Sequence, residues 1–132
     1  MRIFLDTNVL VSAFASRGLC AEILELILLD HDLITGRNVL LELQRALREK
    51  IKLPVGRSNE IVDFVSGEAT LVVDKAKPAR LDIDVADALV VGEALGGNAE
   101  LFITGDAALL RIGTVGALKM LSPRQLWETL RT

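Results

Sequence analysis

Two short apolar runs, Ile3-Phe4-Leu5 and Leu101-Phe102-Ile103, lead within a few residues to aspartates, Asp6 and Asp106. Runs this short and this apolar read as buried strands. Segments with helical spacing lie between them. Alternation of that kind predicts a parallel sheet covered on both faces by helices. In such sheets ligands gather outside the carboxyl ends of the strands. Asp6 and Asp106 therefore fall where chemistry is expected, although each also suits a plain helix-capping role.

The rest of the chain fits the same plan. Residues 2–5 read as a first strand and 7–14 as a short helix, broken by Ser16-Arg17-Gly18. Residues 19–29 carry Leu19, Ile23, Leu24, Ile27 and Leu28 on one helical face. A short strand follows at 32–34. The clearest amphipathic helix runs over 37–51, with Leu40, Leu43, Leu47 and Ile51 at helical spacing and Pro54 and Gly56 ending it. Ser58 reads as the cap of a helix bearing Ile61, Val62 and Val65. Leu71-Val72-Val73 is a third strand, and a loop from Asp74 to Leu81 leads to a helix over 85–95. There Asp84 and Asp87 form a capping pair at the start, and Gly96-Gly97 stops the helix. A fourth strand covers 101–104, a short helix 107–110 and a fifth strand 118–121. Ser122-Pro123 opens a last helix through Leu130.

At 132 residues the chain suits a single domain, 1–132, with a real core. Apolar residues make up 51% and charged residues 25%, a globular balance. No apolar stretch is long enough for a membrane span, and the opening strand is unlike a signal peptide. The lone Cys20 excludes an internal disulfide and a cysteine-rich metal site, and suits a cytoplasmic location. A mean hydropathy of +0.41 points to an apolar surface covered by a partner or a second copy. The net charge of −3 does not mark a nucleic-acid binder. Yet between Arg37 and Arg57 six basic residues, Arg37, Arg45, Arg48, Lys50, Lys52 and Arg57, face only Glu42 and Glu49. Local clusters of this kind attract phosphates more than net charge does.

Four carboxylates occupy places that can converge: Asp6 and Asp106 after strands, Asp87 in a first helical turn, and Glu42 in the amphipathic helix. Simpler roles exist for each, such as a helix-dipole contact for Asp87 or pairing with Arg45 for Glu42. Gathering them is costly because like charges repel. A hard divalent cation removes that cost, and carboxylates suit Mg²⁺ or Mn²⁺. Such an ion can activate water and orient a phosphodiester.

The segments LDTNVLVSAF (5–14), NVLLELQRAL (38–47), DVADALVVGEAL (84–95) and NAELFITGDAALL (98–110), in this order and spacing, resemble PIN-domain ribonucleases. The likeness is strongest to the VapC-like toxin branch of bacterial and archaeal toxin–antitoxin systems. It implies a three-layer α/β/α fold around a parallel sheet of about five strands. It also implies divalent-metal-dependent (Mg²⁺ or Mn²⁺) hydrolysis of single-stranded RNA. By the same likeness Asp6, Glu42, Asp87 and Asp106 are catalytic metal ligands. Thr7, Asn8, Thr104 and Asp84 support them. A homodimer held inactive by an antitoxin protein is expected. The branch often has a further aspartate where this chain has Ala108, which weakens the case for a second metal.

With no tyrosine and only four phenylalanines, base stacking is a poor main RNA contact. Backbone contacts from Arg37, Arg45, Lys50 or Lys52 are expected instead. His31, Cys20, Trp127 and Asp82 are read as loop, packing or solvated residues. Two other readings stay open: a PIN-type RNA-processing nuclease without an antitoxin, and a catalytically silent PIN-fold binding module. A haloacid-dehalogenase-type phosphatase needs a second aspartate where Asn8 stands. A receiver-type phosphoacceptor needs paired acids where Asp6 is followed by Thr7.

Overall fold

The computed structural model of the chain describes residues 1–72 and 77–131. Its elements, in order, are β1 (Arg2–Leu5), α1 (Thr7–Ala15), α2 (Leu19–Asp30), β2 (Asp32–Gly36), α3 (Arg37–Glu49), α4 (Val55–Glu68) and β3 (Thr70–Val72). There follow α5 (Val85–Gly96), β4 (Leu101–Ile103), α6 (Ala107–Ile112), β5 (Thr114–Val115), β6 (Leu118–Leu121) and α7 (Pro123–Arg131). The strands form one sheet in the order β3-β2-β1-β4-β6-β5.

Every pairing is parallel except β5 with β6. The sheet thus has six strands where five were expected. The added strand is a two-residue edge, too short to show any hydrophobic period. It turns back through Gly116, whose φ of +59° opens the two-residue loop before β6. Glycine is the residue that such a type II′ position favours.

From β1 the chain first builds outward through β2 and β3, then returns to lay β4 on the other side of β1. The seam between β1 and β4 is therefore the point where strand order reverses, the usual place for a ligand crevice. The register aligns Leu5 with Ile103, and the Asp6 amide donates to the Ile103 carbonyl at 2.9 Å. Asp6 and Thr104 consequently leave the sheet side by side. Beneath them Phe4 and Phe102 are fully buried and stacked, with ring centroids 5.4 Å apart. This pair and their neighbours Ile3, Leu5, Leu101 and Ile103 anchor the seam in the core. Each such side chain contributes about 1.5–3 kcal/mol through burial.

The helices that carry the other two acids are held differently. Val39, Leu43 and Leu47 bury one stripe of α3, which leaves Glu42 half-exposed beside α1. Leu40 is only half-buried, and Ile51 is exposed beyond the helix. The helix stops at Glu49 rather than 51, because Lys52 turns into the left-handed region at φ 61°. The following helix begins at Val55, with Pro54 at its N-cap. Ser58 lies inside it, fully buried, donating to the Val55 carbonyl and accepting from Arg48. The expected cap at Ser58 is thus four residues too late, since proline just before a helix supplies the start without a hydroxyl. Of the expected third strand, Leu71 and Val72 are in β3, and Val73 lies outside the described residues. Residues 74–76 of the following loop do so too. No helix among the described residues is long and apolar enough to cross a membrane.

Candidate active site

At the carboxyl end of the β1–β4 seam lies an open cleft of about 210 Å³. Asp6, Thr7, Asn8, Glu42, Arg45, Ala46, Glu49, Lys50, Asp87 and Asp106 line it. Four segments far apart in the chain thus bring Asp6, Glu42, Asp87 and Asp106 to one place.

Two threonines hold this arrangement together. Asp6 ends β1, caps α1 and is only 8% exposed. Its Oδ1 accepts from the Thr7 amide at 2.8 Å, and its Oδ2 accepts from the Thr104 hydroxyl at 2.7 Å. The Thr104 oxygen in turn accepts from the Asp106 amide at 3.0 Å. A buried hydroxyl therefore couples the two strand-end acids. The Thr7 hydroxyl donates to Glu42 Oε2 at 2.7 Å. This bond ties α3 to the start of α1. Of the simpler roles, the Arg45 pairing of Glu42 is not formed among the described residues.

Capping and site geometry coexist here. Asp106 caps α6 through Oδ1, which accepts from the amides of Ala108 and Leu109. Asp84 caps α5 by accepting from the Ala86 amide at 2.8 Å. That cap sets the first turn, in which Asp87 faces the cleft. Asp84 itself is exposed and outside the lining.

The carboxylates feel one another. Burial, and then the charges of Glu42 and Asp106, push the Asp6 carboxyl above its ordinary value; the bonds from Thr104 and Thr7 pull the other way. Burial, then Asp6, Asp106 and Asp84, raise Asp87. The ion pair among the described residues is Arg57–Glu60, on the exposed part of α4. Within that set no lysine or arginine forms an ion pair with the cluster. Nor does any group of three or more acidic, histidine or cysteine side chains there stand ready to hold a metal ion. Coordination by several of these acids requires their side chains to turn inward.

Of the basic residues singled out from sequence, Arg45 and Lys50 line the cleft. Arg37 instead borders an apolar groove with Leu40, Leu41 and Val62, and Lys52 lies on the turn after α3. Of these four candidates for RNA contact, only Arg45 and Lys50 are therefore at the cleft. Arg37 begins α3, roughly two turns before Arg45 on a different face, and Lys52 follows a left-handed reversal. Asn8 is exposed at the cleft edge. His31, Cys20, Trp127 and Asp82 lie outside it; Trp127 carries the Arg131 guanidinium 5.7 Å from its ring centre.

Sequence reading passed over one residue, Glu93. It sits in the middle of α5 and is 2% exposed. Its Oε2 accepts from the Asn38 amide at 2.8 Å and from Asn38 Nδ2 at 3.3 Å. Its Oε1 accepts from the Val39 amide at 3.3 Å. These amides belong to the first turn of α3, whose N-cap, Gly36, offers no side chain. Burial outweighs these bonds and lifts the Glu93 carboxyl above its ordinary value. A lone acid within the apolar run ALVVGEALG, residues 88–96, was the available signal.

The PIN domain family model matches residues 2–108. No curated protein matches the chain. Among solved structures, the chain is similar to VapBC2 from Rickettsia felis, determined bound to a DNA fragment from its promoter. The two are 19% identical, with 92% of this chain and 98% of that chain covered and a TM-score of 0.67. It is also similar to VapBC-1 from nontypeable Haemophilus influenzae, 17% identical, with 94% and 99% covered and a TM-score of 0.64. Both likenesses concern the fold: a mostly parallel sheet flanked by helices, with the same extent as this chain. With the family model matching most of its length, from the first strand through the last of the four acids, the chain belongs to the PIN-domain family.

Proposed function

We propose that this protein is a divalent-metal-dependent endoribonuclease that cleaves single-stranded RNA and serves as the toxin of a toxin–antitoxin pair. One observation carries the reading. Four acids from β1, α3, α5 and the β4–α6 loop converge on one cleft, with no cationic side chain ion-paired to any of them among the described residues. A charge cluster of that kind is expensive unless a cation is part of the working protein.

The donor set fits Mg²⁺ or Mn²⁺, because every ligand it offers is a carboxylate oxygen. Asp6, Glu42, Asp87 and Asp106 would hold the ion. When bound, the ion supplies charge neutralisation, a more acidic water and an anchor for the scissile phosphate. The chain's own residues do the rest. Thr104 and Thr7 each hold one carboxylate oxygen, of Asp6 and of Glu42, by a hydrogen bond. The α6 cap orients Asp106. Arg45 and Lys50, on the rim, meet the phosphates that flank the scissile one. Among the described residues no aromatic side chain lines the cleft, so the contacts run along the backbone rather than through stacked bases. The preference for RNA rests on the family resemblance.

The partner reading is supported by the two structural relatives, both VapBC assemblies. Exposed Leu29, Leu41, Phe64 and Val85 supply apolar surface for an antitoxin chain or a second copy. We place the protein in the cytoplasm as a homodimer.

Cleavage of an end-labelled single-stranded RNA tests the activity. Cleavage is expected with Mn²⁺ or Mg²⁺, none with chelator, and none from Asp6→Asn purified identically. Equal cleavage by wild type and variant would refute the assignment. Co-purification with the product of an adjacent small gene tests the pairing. Absence of any such complex would favour an RNA-processing nuclease without an antitoxin.

A further inference from the structure

We infer that Glu93 is a positioning residue: from α5 it clamps the first turn of α3 and thereby sets Glu42 against Asp87. This deepens the nuclease reading and rests on it. A helix normally meets its unpaired first amides with the side chain of its own N-cap. Here the N-cap is Gly36, and a carboxylate from another helix does the work, reaching the second and third amides of α3. Glu93 lies on the same helix as Asp87, and the amides it holds lie one turn before Glu42 on α3. The clamp therefore joins the two helices that bring acids to the cleft from outside the β1–β4 seam.

Gly36 belongs to the same device. Its φ of −145° suits any residue, so its role is steric. A Cβ there would collide with the Glu93 carboxyl carbon and both of its oxygens. Glycine is what lets the carboxylate come down onto the helix end. At its other end, Glu42 is held by the Thr7 hydroxyl. Glu42 is thus placed between a clamp from α5 and a tether from α1, and its charge is felt by Glu93.

Glu93→Gln keeps the shape but puts an amide donor where the helix presents only donors. The test compares this variant, Gly36→Ala, Glu42→Gln, the double variant Glu93→Gln/Glu42→Gln and a distant core control, Leu126→Val. The readouts are Mn²⁺ affinity by calorimetry, amide exchange at Asn38 and Val39, and steady-state cleavage. Glu93→Gln and Gly36→Ala are each expected to weaken Mn²⁺ binding and lower kcat by about 10- to 100-fold, with KM changed much less. Exchange at Asn38 and Val39 should quicken in both, and neither effect should appear in Leu126→Val. In the Glu42→Gln background, Glu93→Gln should weaken Mn²⁺ binding no further.

Unchanged Mn²⁺ affinity in Glu93→Gln, or an equal further loss in the Glu42→Gln background, overturns the positioning role while leaving the nuclease reading intact. Wild-type protein that neither binds Mn²⁺ nor cleaves RNA overturns the nuclease reading. Unchanged exchange at Asn38 and Val39 in Glu93→Gln overturns the clamp itself, with or without metal.

Discussion

Replacing Gly36 by alanine should cost far more than a glycine-to-alanine change at an exposed helix start. With the backbone at φ −145° and ψ 172°, alanine is conformationally acceptable. Lower unfolded-state entropy would then favour the variant by about 0.4–1 kcal/mol, while a poorer N-cap would cost a similar amount. Taken alone, these two effects nearly cancel. The carboxylate of Glu93 decides the outcome, because a Cβ at Gly36 would occupy its position. Evicting it removes a 2.8 Å bond to the Asn38 amide and a 3.3 Å bond to the Val39 amide. Hydrogen bonds to a charged group are worth about 1.5–3 kcal/mol each, and the longer one belongs at the low end or below. Allowing for partial relaxation into solvent, the expected loss is about 2–4 kcal/mol. Urea denaturation followed by circular dichroism at 25 °C measures it. In a Glu93→Ala background the space is already empty, and Gly36→Ala should then change stability by less than about 0.5 kcal/mol. The same large loss in both backgrounds, or none in either, would refute this account of the glycine.

Without metal, the protein should become more stable on mild acidification. Asp6, Asp87 and Glu93 have folded values above 3.8, 3.8 and 4.5, their ordinary ones. The folded state thus binds protons more tightly than the unfolded state. The benefit is complete below those ordinary values and is lost as pH rises through the raised ones. Thermal melts in chelator from pH 4 to 7 check this; a Tm that climbs with pH across that window would contradict it. Asp6→Asn should flatten the slope. Arg45→Ala and Lys50→Ala should raise KM for RNA about 3- to 10-fold each, with little change in kcat and a weaker salt dependence; a kcat-only effect would count against phosphate contacts. Thr104→Val leaves the Asp6 Oδ2 and the Asp106 amide without their shared partner, so it should cost about 1–3 kcal/mol and at least about 10-fold in cleavage, measured by urea melts and initial rates. Wild-type activity in Thr104→Val would show that the coupling of the two acids is idle.

The seam that positions the site was legible in the chain because both strands are short, wholly apolar and followed at once by small polar residues and an aspartate. Local pattern and tertiary place agree there. The assignments that failed depend on contacts between distant segments. Helical spacing offered Arg45 as a simple partner for Glu42, but could not show Thr7, 35 residues away, which holds it. Ser58 has the chemistry of a cap, but the proline ahead of it starts the helix and the serine turns inward. The β5 edge is two residues long and carries no period, leaving only Gly113 and Gly116 as signs of a turn. Glu93 stayed hidden because its partners lie 54 and 55 residues upstream. Its one trace was a charged residue where an apolar one would pack. Arg37 and Lys52 show the limit of charge counting: a basic segment wound into a helix and a turn presents its cations to several faces, and only Arg45 and Lys50 meet the cleft.

Titrating Mn²⁺ by calorimetry into metal-free wild type and Asp6→Asn, with the same preparations assayed on end-labelled single-stranded RNA, addresses the acidic cleft most directly. Saturable binding by wild type, with binding and cleavage lost together in Asp6→Asn, is the expected result. Wild type without saturable binding, or a variant that binds and cleaves as well as wild type, would contradict a metal-dependent nuclease site built on these four acids.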